Sequence, residues 1–215
     1  MAITVFVCGD SWCSGDTDLP KTHFSELLGP EYEVTNIARG GMSNTGICFQ
    51  LKTALSLDAE IVIFGTTDSS RMDVPLKSFK KHLGLKNFIY PYEFDPSYGH
   101  PLVGGLTSNI LSGTMQNLMS DRWDSLIQLP DEKKKALKEY ITHLFDYELE
   151  SQKDEWLIGY WTNKLSNKNI KLIHLNKEYP SLYKSKIVDC QYHTSPEVQI
   201  QVAEFLKKKL KESIQ

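Results

Sequence analysis

Apolar and polar positions fall along this chain in blocks, and the blocks predict alternating strands and helices. Ile3-Thr4-Val5-Phe6-Val7-Cys8 is apolar at nearly every position and rich in β-branched residues, the pattern of a strand covered on both faces. It stops at Gly9-Asp10-Ser11-Trp12-Cys13-Ser14-Gly15, which is turn chemistry. Residues 20–28 predict a helix, with Phe24, Leu27 and Leu28 on one face, Pro20 in its first turn and Gly29-Pro30 at its end. Residues 31–36 alternate as a second strand. A glycine-bearing loop over 36–44 leads into a helix over 43–57, capped by Ser43 or Asn44, with Ile47, Leu51, Ala54 and Leu55 as its inner face. Residues 60–65 are the clearest buried strand, and Gly65-Thr66-Thr67-Asp68-Ser69-Ser70-Arg71 follows as a polar loop.

The second half is less even. Residues 72–130 carry Pro75, Pro91, Pro96 and Pro101, a Gly104-Gly105 turn and many aromatics. A loop of that length reads either as a lid or binding segment, or as an insertion packed on the surface. From Asp131 the period is helical, with Leu137, Tyr140, Ile141, Leu144 and Phe145 on one side. A second helix over about 151–166 carries Trp156, Ile158, Tyr160, Trp161 and Leu165, a face expected to be core. Residues 171–175 predict a fourth strand, with His174 structural, and 177–192 are irregular. Ser195-Pro196-Glu197 opens a last helix that turns Val198, Val202, Phe205, Leu206 and Leu210 inward. The order predicts a single domain over 1–215, a three-layer α/β/α sandwich with a parallel, flavodoxin-like sheet and right-handed crossovers.

Composition narrows the function classes. The chain has 215 residues and is 40% hydrophobic, enough for one well-packed α/β domain. Its net charge of −3 has no concentrated positive face beyond the lysines at the end of the last helix, which suit that helix's dipole, so a nucleic-acid partner is not expected. No stretch is long and apolar enough to span a membrane. The amino terminus lacks the basic region of a signal peptide, so the expectation is a cytoplasmic protein, or a host-cytoplasmic or virion protein if viral. Cys8, Cys13, Cys48 and Cys190 form no Cys-x-x-Cys pair, and His23, His82, His100, His143 and His174 show no metal spacing. Free thiols and no metal or cofactor are expected; a redox or nucleophilic part for Cys13 or Cys190 is the lesser reading.

Three polar loops are thus expected at one edge of the sheet, the carboxyl ends of parallel strands, where open α/β sheets bind ligands. One holds Ser11, one Gly40-Gly41 and Asn44, one Thr67, Asp68 and Arg71. A serine hydroxyl becomes a nucleophile at neutral pH only with a base, a group that orients the base, and donors for the oxyanion. Asp189-Cys190-Gln191-Tyr192-His193, just before the last helix, supplies His193 as base and Asp189 as orienter. The backbone N–H groups of Ser11 and Gly41 are oxyanion donors, and Asn44, Thr67 and Arg71 are further oxyanion or substrate-binding candidates. Each has a plainer reading. Ser11 could cap the first helix, His193 could be a loop or helix-cap histidine, and Arg71 could pair with Asp68 or Asp73.

These blocks resemble, in order, those of the SGNH (GDSL-type) hydrolases. Gly9-Asp10-Ser11 with Gly15 is similar to the first block, Asn36 through Ser43 with Gly41 to the second, Ile61 to Asp68 to the third, and Asp189 with His193 to the last. Residues 72–170 carry no family motif. The third block's oxyanion asparagine is Thr67 here, and three residues rather than two separate Asp189 from His193. The Thr-x-x-x-Arg form of the third block resembles divergent phage-encoded members. The resemblance implies a serine esterase acting on a small-molecule or carbohydrate ester, such as an acetyl ester. The alternatives are a catalytically impaired binding module on the same fold, or an acyltransferase.

Overall fold

The computed structural model describes residues 2–14, 21–39, 42–75, 110–114, 131–181 and 195–212. Strand β1 (Ile3–Cys8) is central, paired in parallel with β2 (Tyr32–Asn36) on one side and β3 (Ile61–Phe64) on the other. The last strand of this sheet, Lys171–His174, pairs in parallel with β3. Two further strands, β4 (Arg71–Pro75) and β5 (Ile110–Thr114), form a separate antiparallel pair, which makes the strand at Lys171 β6. The order β2-β1-β3-β6 is that of the first four strands of a flavodoxin-like sheet.

Strand alternation divides the core. Val5, Val7, Ile61, Ile63 and Ile173 point to one face, where they meet Phe24, Leu28 and the final helix. Phe6, Cys8, Val62 and Phe64 point to the other, where they meet Leu51, Ala54 and Leu165. The first face is covered by a 3-10 turn at Phe24–Glu26 and by the helix Pro196–Lys211; the second by α1 (Asn44–Ser56) and the helix Tyr147–Ser166. In chain order the other helices are α2 (Asp131–His143), α3 (Tyr147–Ser166), a short α4 (Leu175–Glu178) and α5 (Pro196–Lys211). The expected three-layer α/β/α architecture is present. Ser195 caps α5 with Pro196 in its first turn, and Ser43 caps α1 through Gly46 N–H.

Four expectations change. Of the helix expected over 20–28, the described part is a single 3-10 turn. His23 sits in extended backbone as its N-cap, closing a capping box with Ser25 N–H and Glu26, and Gly29 at φ +109° turns the chain away soon after. The segment 72–130 is not simply irregular, because Arg71–Pro75 pairs with Ile110–Thr114 as β4 and β5, Arg71 opposite Thr114. The helix expected from 151 starts at Tyr147, capped by Asp146, and its tryptophans part company. Trp161 packs with Ile158 and Leu165 against the sheet, whereas Trp156 is 70% exposed, since the inner face runs 154–158–161–165. The strand expected over 171–175 ends at His174, and Leu175–Glu178 forms one helical turn that reaches into the stretch expected to be irregular from 177.

Candidate active site

Gly9 ends β1 and forces the chain round. Its φ is +149°, and a Cβ there would lie 2.6 Å from Cys13 Sγ and 3.2 Å from the Gly65 carbonyl, so no side chain fits. Gln50, on the inner face of α1, holds the same residue from the other side. It accepts from Gly9 N–H at 2.6 Å and donates to the Gly9 carbonyl at 3.1 Å.

Asp10 then organises the turn that carries Ser11. Its Oδ1 accepts from Trp12 N–H at 3.0 Å, an Asx-turn, and its carbonyl accepts from Cys13 and Ser14 N–H, both at 3.0 Å. The Ser11 carbonyl accepts from the Ser14 hydroxyl at 3.2 Å. Ser11 is half-buried at the carboxyl end of the central strand, and Asp10 is 1% exposed. A buried carboxylate needs a partner, and Arg71 supplies it: Nη2 lies 3.1 Å from Asp10 Oδ2. Nη1 of the same guanidinium donates to the Met42 carbonyl at 2.9 Å. Arg71 therefore pairs with Asp10, not with Asp68.

The loop after β3 is held by two more amides. Asn44, the first residue of α1 and buried, accepts from Thr67 N–H and donates to the Thr67 carbonyl, both at 2.9 Å. Its other N–H donates to Asp154 of α3 at 2.8 Å. Asn176 clamps Thr66 likewise, accepting from its N–H at 2.6 Å and donating to its carbonyl at 3.0 Å. Both hydrogen bonds recorded at Thr67 use its backbone, so among the described residues its hydroxyl stands uncommitted. Asp68 closes the loop, accepting from Ser70 N–H at 2.8 Å and from the Tyr147 hydroxyl at 3.2 Å. Burial pushes its carboxyl upward, but the Ser70 and Tyr147 hydrogen bonds and the Arg71 charge outweigh this and hold it below the usual range.

Of the residues singled out in the sequence, Ser11, Asn44, Thr67 and Arg71 are brought to one edge of the sheet by the ends of β1 and β3 and the start of α1. Gly41, Asp189 and His193 lie outside the described residues. Cys8, Cys13 and Cys48 are buried, and burial together with the neighbouring Cys13 raises the Cys8 thiol well above its ordinary value. Cys190 also lies outside the described residues. His174 stacks on Phe64 at 4.4 Å with Nε2 3.3 Å from the Thr66 hydroxyl, and burial lowers it to about 4. Its place is structural, as the strand pattern suggested.

Sequence reasoning passed over Gln50, Asn176, Asp154 and the part played by Asp10. Gln50 left a trace, being an amide set between Ile47 and Ala54 on an otherwise apolar helix face, where a buried polar group implies a partner. Among the described residues no cluster of three or more His, Cys, Asp or Glu could hold a metal ion, and no helix is long and apolar enough to cross a membrane.

No protein-family model matches the chain, and no curated protein matches it. Among solved structures it is similar to a protein from Desulfitobacterium hafniense DCB-2, provisionally described as a lipolytic protein of the G-D-S-L family, at 15% identity and a TM-score of 0.40, over 95% of this chain and 98% of that one.

Proposed function

We propose that the chain is an SGNH-type serine ester hydrolase with Ser11 as nucleophile. The observation that carries this is the build of the Ser11 turn: a hydroxyl at the carboxyl end of the central parallel strand, in a turn whose preceding residue is a buried, ion-paired aspartate. A serine used merely as a turn former needs no such support.

In this reading His193 removes the Ser11 proton as Oγ attacks the ester carbonyl, and Asp189 orients the imidazole. The tetrahedral oxyanion is held by the N–H groups of Ser11 and Gly41, with the Thr67 hydroxyl as third donor. Collapse breaks the ester C–O bond, and His193 returns the proton to the leaving alcohol. Water, deprotonated by His193, then attacks the acyl-serine; the acyl C–Oγ bond breaks, His193 returns the proton to Ser11 Oγ, and the acid is released. No metal or organic cofactor is required. The substrate is a short acyl ester, such as an acetyl ester, on a small molecule or carbohydrate, by analogy with the family that the motifs resemble.

Labelling with a fluorophosphonate tests the reading. Ser11 is expected to label in the native protein and not in Ser11→Ala, with labelling lost or greatly slowed in His193→Ala. Absence of labelling in folded native protein overturns it in favour of a binding module. Turnover with an added sugar acceptor, analysed for the transferred acyl group, separates hydrolysis from transfer.

A further inference from the structure

Arg71 stands where the turn after β1 meets the backbone just before α1, and both of its terminal nitrogens are spent on protein atoms. Nη2 faces Asp10 Oδ2 at 3.1 Å and Nη1 donates to the Met42 carbonyl at 2.9 Å. Its side chain is 13% exposed and that of Asp10 1%. Asp10 in turn receives Trp12 N–H on its side chain and Cys13 and Ser14 N–H on its carbonyl. Met42 follows Gly41 directly in sequence, is itself 2% exposed, and lies across Gly46 so closely that a Cβ there would not fit.

We propose that Arg71 is a positioning residue: its planar fork ties the turn bearing Ser11 to the backbone at Met42 and so fixes the nucleophile relative to the start of α1, without itself touching the oxyanion. This rests on the esterase reading for its catalytic consequence, though not for its structural one. The guanidinium suits the task because two of its N–H groups point in fixed, coplanar directions to two acceptors, which a single lysine ammonium on a flexible stem does not reproduce. The chain delivers Arg71 there by a tight turn, with Arg71 N–H donating to the Asp68 carbonyl at 3.2 Å and Ser70 N–H to the Asp68 side chain. Arg71 also opens β4.

A positioning residue and a direct oxyanion donor differ in how Arg71 couples to Asp10. Asp10→Asn keeps an acceptor for Trp12 N–H but removes the charge that holds the guanidinium. If Arg71 works through Asp10, then Arg71→Met and Asp10→Asn should each slow fluorophosphonate labelling and lower kcat about 10- to 100-fold with KM nearly unchanged. The double variant should be little worse than either single one. Arg71→Lys should fall between native and Arg71→Met. Multiplied losses in the double variant would assign Arg71 to the substrate and overturn the proposal.

Amide hydrogen exchange gives a readout that needs no activity. Trp12, Cys13 and Ser14 amides should exchange at least tenfold faster in Arg71→Met than in the native chain, with the β1 amides unchanged. Unaltered exchange at those three amides overturns the proposal even if activity falls. If Arg71→Met does not fold, the same measurement on Arg71→Lys decides. Native protein that fails to label refutes the esterase reading, while the exchange result still judges the tie itself.

Discussion

Asn44 and Thr67 exchange two hydrogen bonds of equal length, Thr67 N–H to Asn44 Oδ1 and Asn44 Nδ2 to the Thr67 carbonyl, each 2.9 Å. The start of α1 thereby holds the loop after β3 as a neighbouring strand would. Asp154 takes the remaining Asn44 N–H at 2.8 Å and brings α3 into the same network. The arrangement recurs with Gln50 on Gly9 and Asn176 on Thr66, so three amides fix the backbone at the carboxyl ends of two adjacent strands.

Replacing Asn44 by Asp should be worse than deleting its side chain. The carboxylate can still accept from Thr67 N–H, but it meets the Thr67 carbonyl and the Asp154 carboxylate with no proton to give. Asn44→Ala is expected to cost about 2–3 kcal/mol, and Asn44→Asp about 1 kcal/mol more. Asp154→Asn in the Asn44→Asp background should recover part of the loss, because the new amide at 154 donates where the Asp154 carboxylate accepted. Urea unfolding of the four proteins checks this, and a double variant no better than Asn44→Asp would refute the pairing.

Gly9→Ala is expected to destabilise by about 2–4 kcal/mol, from a positive φ and an impossible Cβ position. Trimming the neighbour should not help. Cys13 Cβ, which alanine retains, lies 2.7 Å from where the added carbon would sit, nearly as close as the sulfur at 2.6 Å. Thermal melts of Gly9→Ala with and without Cys13→Ala should therefore show no recovery in the double variant.

Two histidines, His23 buried and His174 half-buried, make stability depend on acid. His23 and His174 are both lowered to about 4 in the folded chain, chiefly by burial. His23 Nδ1 accepts from Ser25 N–H at 3.3 Å and lies 2.7 Å from the Ser25 hydroxyl. Among the described residues Nε2 has no hydrogen-bond partner, and the nearby Trp12 backbone offsets burial only in part. The unfolded chain takes up these protons near 6.5. Between 6.5 and 4 the unfolded state binds more protons than the folded one, so stability is full above 6.5 and falls as pH drops through that window. The His23 share is about 3 kcal/mol at the bottom of the window. His23→Asn keeps an N-cap acceptor and removes the proton site, so its urea midpoint should fall less than that of the native chain between pH 7.5 and 4.5. Parallel falls in the two proteins would refute the assignment.

The sheet was legible in the sequence because its signal is local. The runs at 3–8 and 60–65 are apolar enough to announce buried strands, and Ser195-Pro196 announces a helix start unaided. What escaped depends on partners distant along the chain. Arg71-Met-Asp-Val-Pro75 carries two charges and a proline and reads as loop until Ile110–Thr114 is beside it. Trp156 and Trp161 look alike in composition, and only the register of α3, set by Ile158 and Leu165 on the sheet, sends one outward. Within the site, the Gly-Asp-Ser turn was visible as a motif. That Asp10 serves as the anchor for Arg71 was not, since a carboxylate after a glycine is ordinary turn chemistry and its cation comes from the far end of another loop.

Thr67 carries the sharpest consequence for catalysis. Its backbone is held on both sides by Asn44, so the position of its side chain is set by the fold and not by substrate. Its hydroxyl, uncommitted among the described residues, is the group that the esterase reading aims at the oxyanion. Thr67→Val keeps the branched shape and both backbone hydrogen bonds and deletes only that hydroxyl. Under the esterase reading the variant should keep the native melting temperature and KM and lose roughly 10²-fold in kcat, the scale of one lost oxyanion donor. The measurement is kcat and KM on an activated acetyl ester beside a thermal melt. A Thr67→Val protein as active as the native chain would leave the oxyanion to backbone N–H groups alone and would remove the Thr67 hydroxyl from the mechanism.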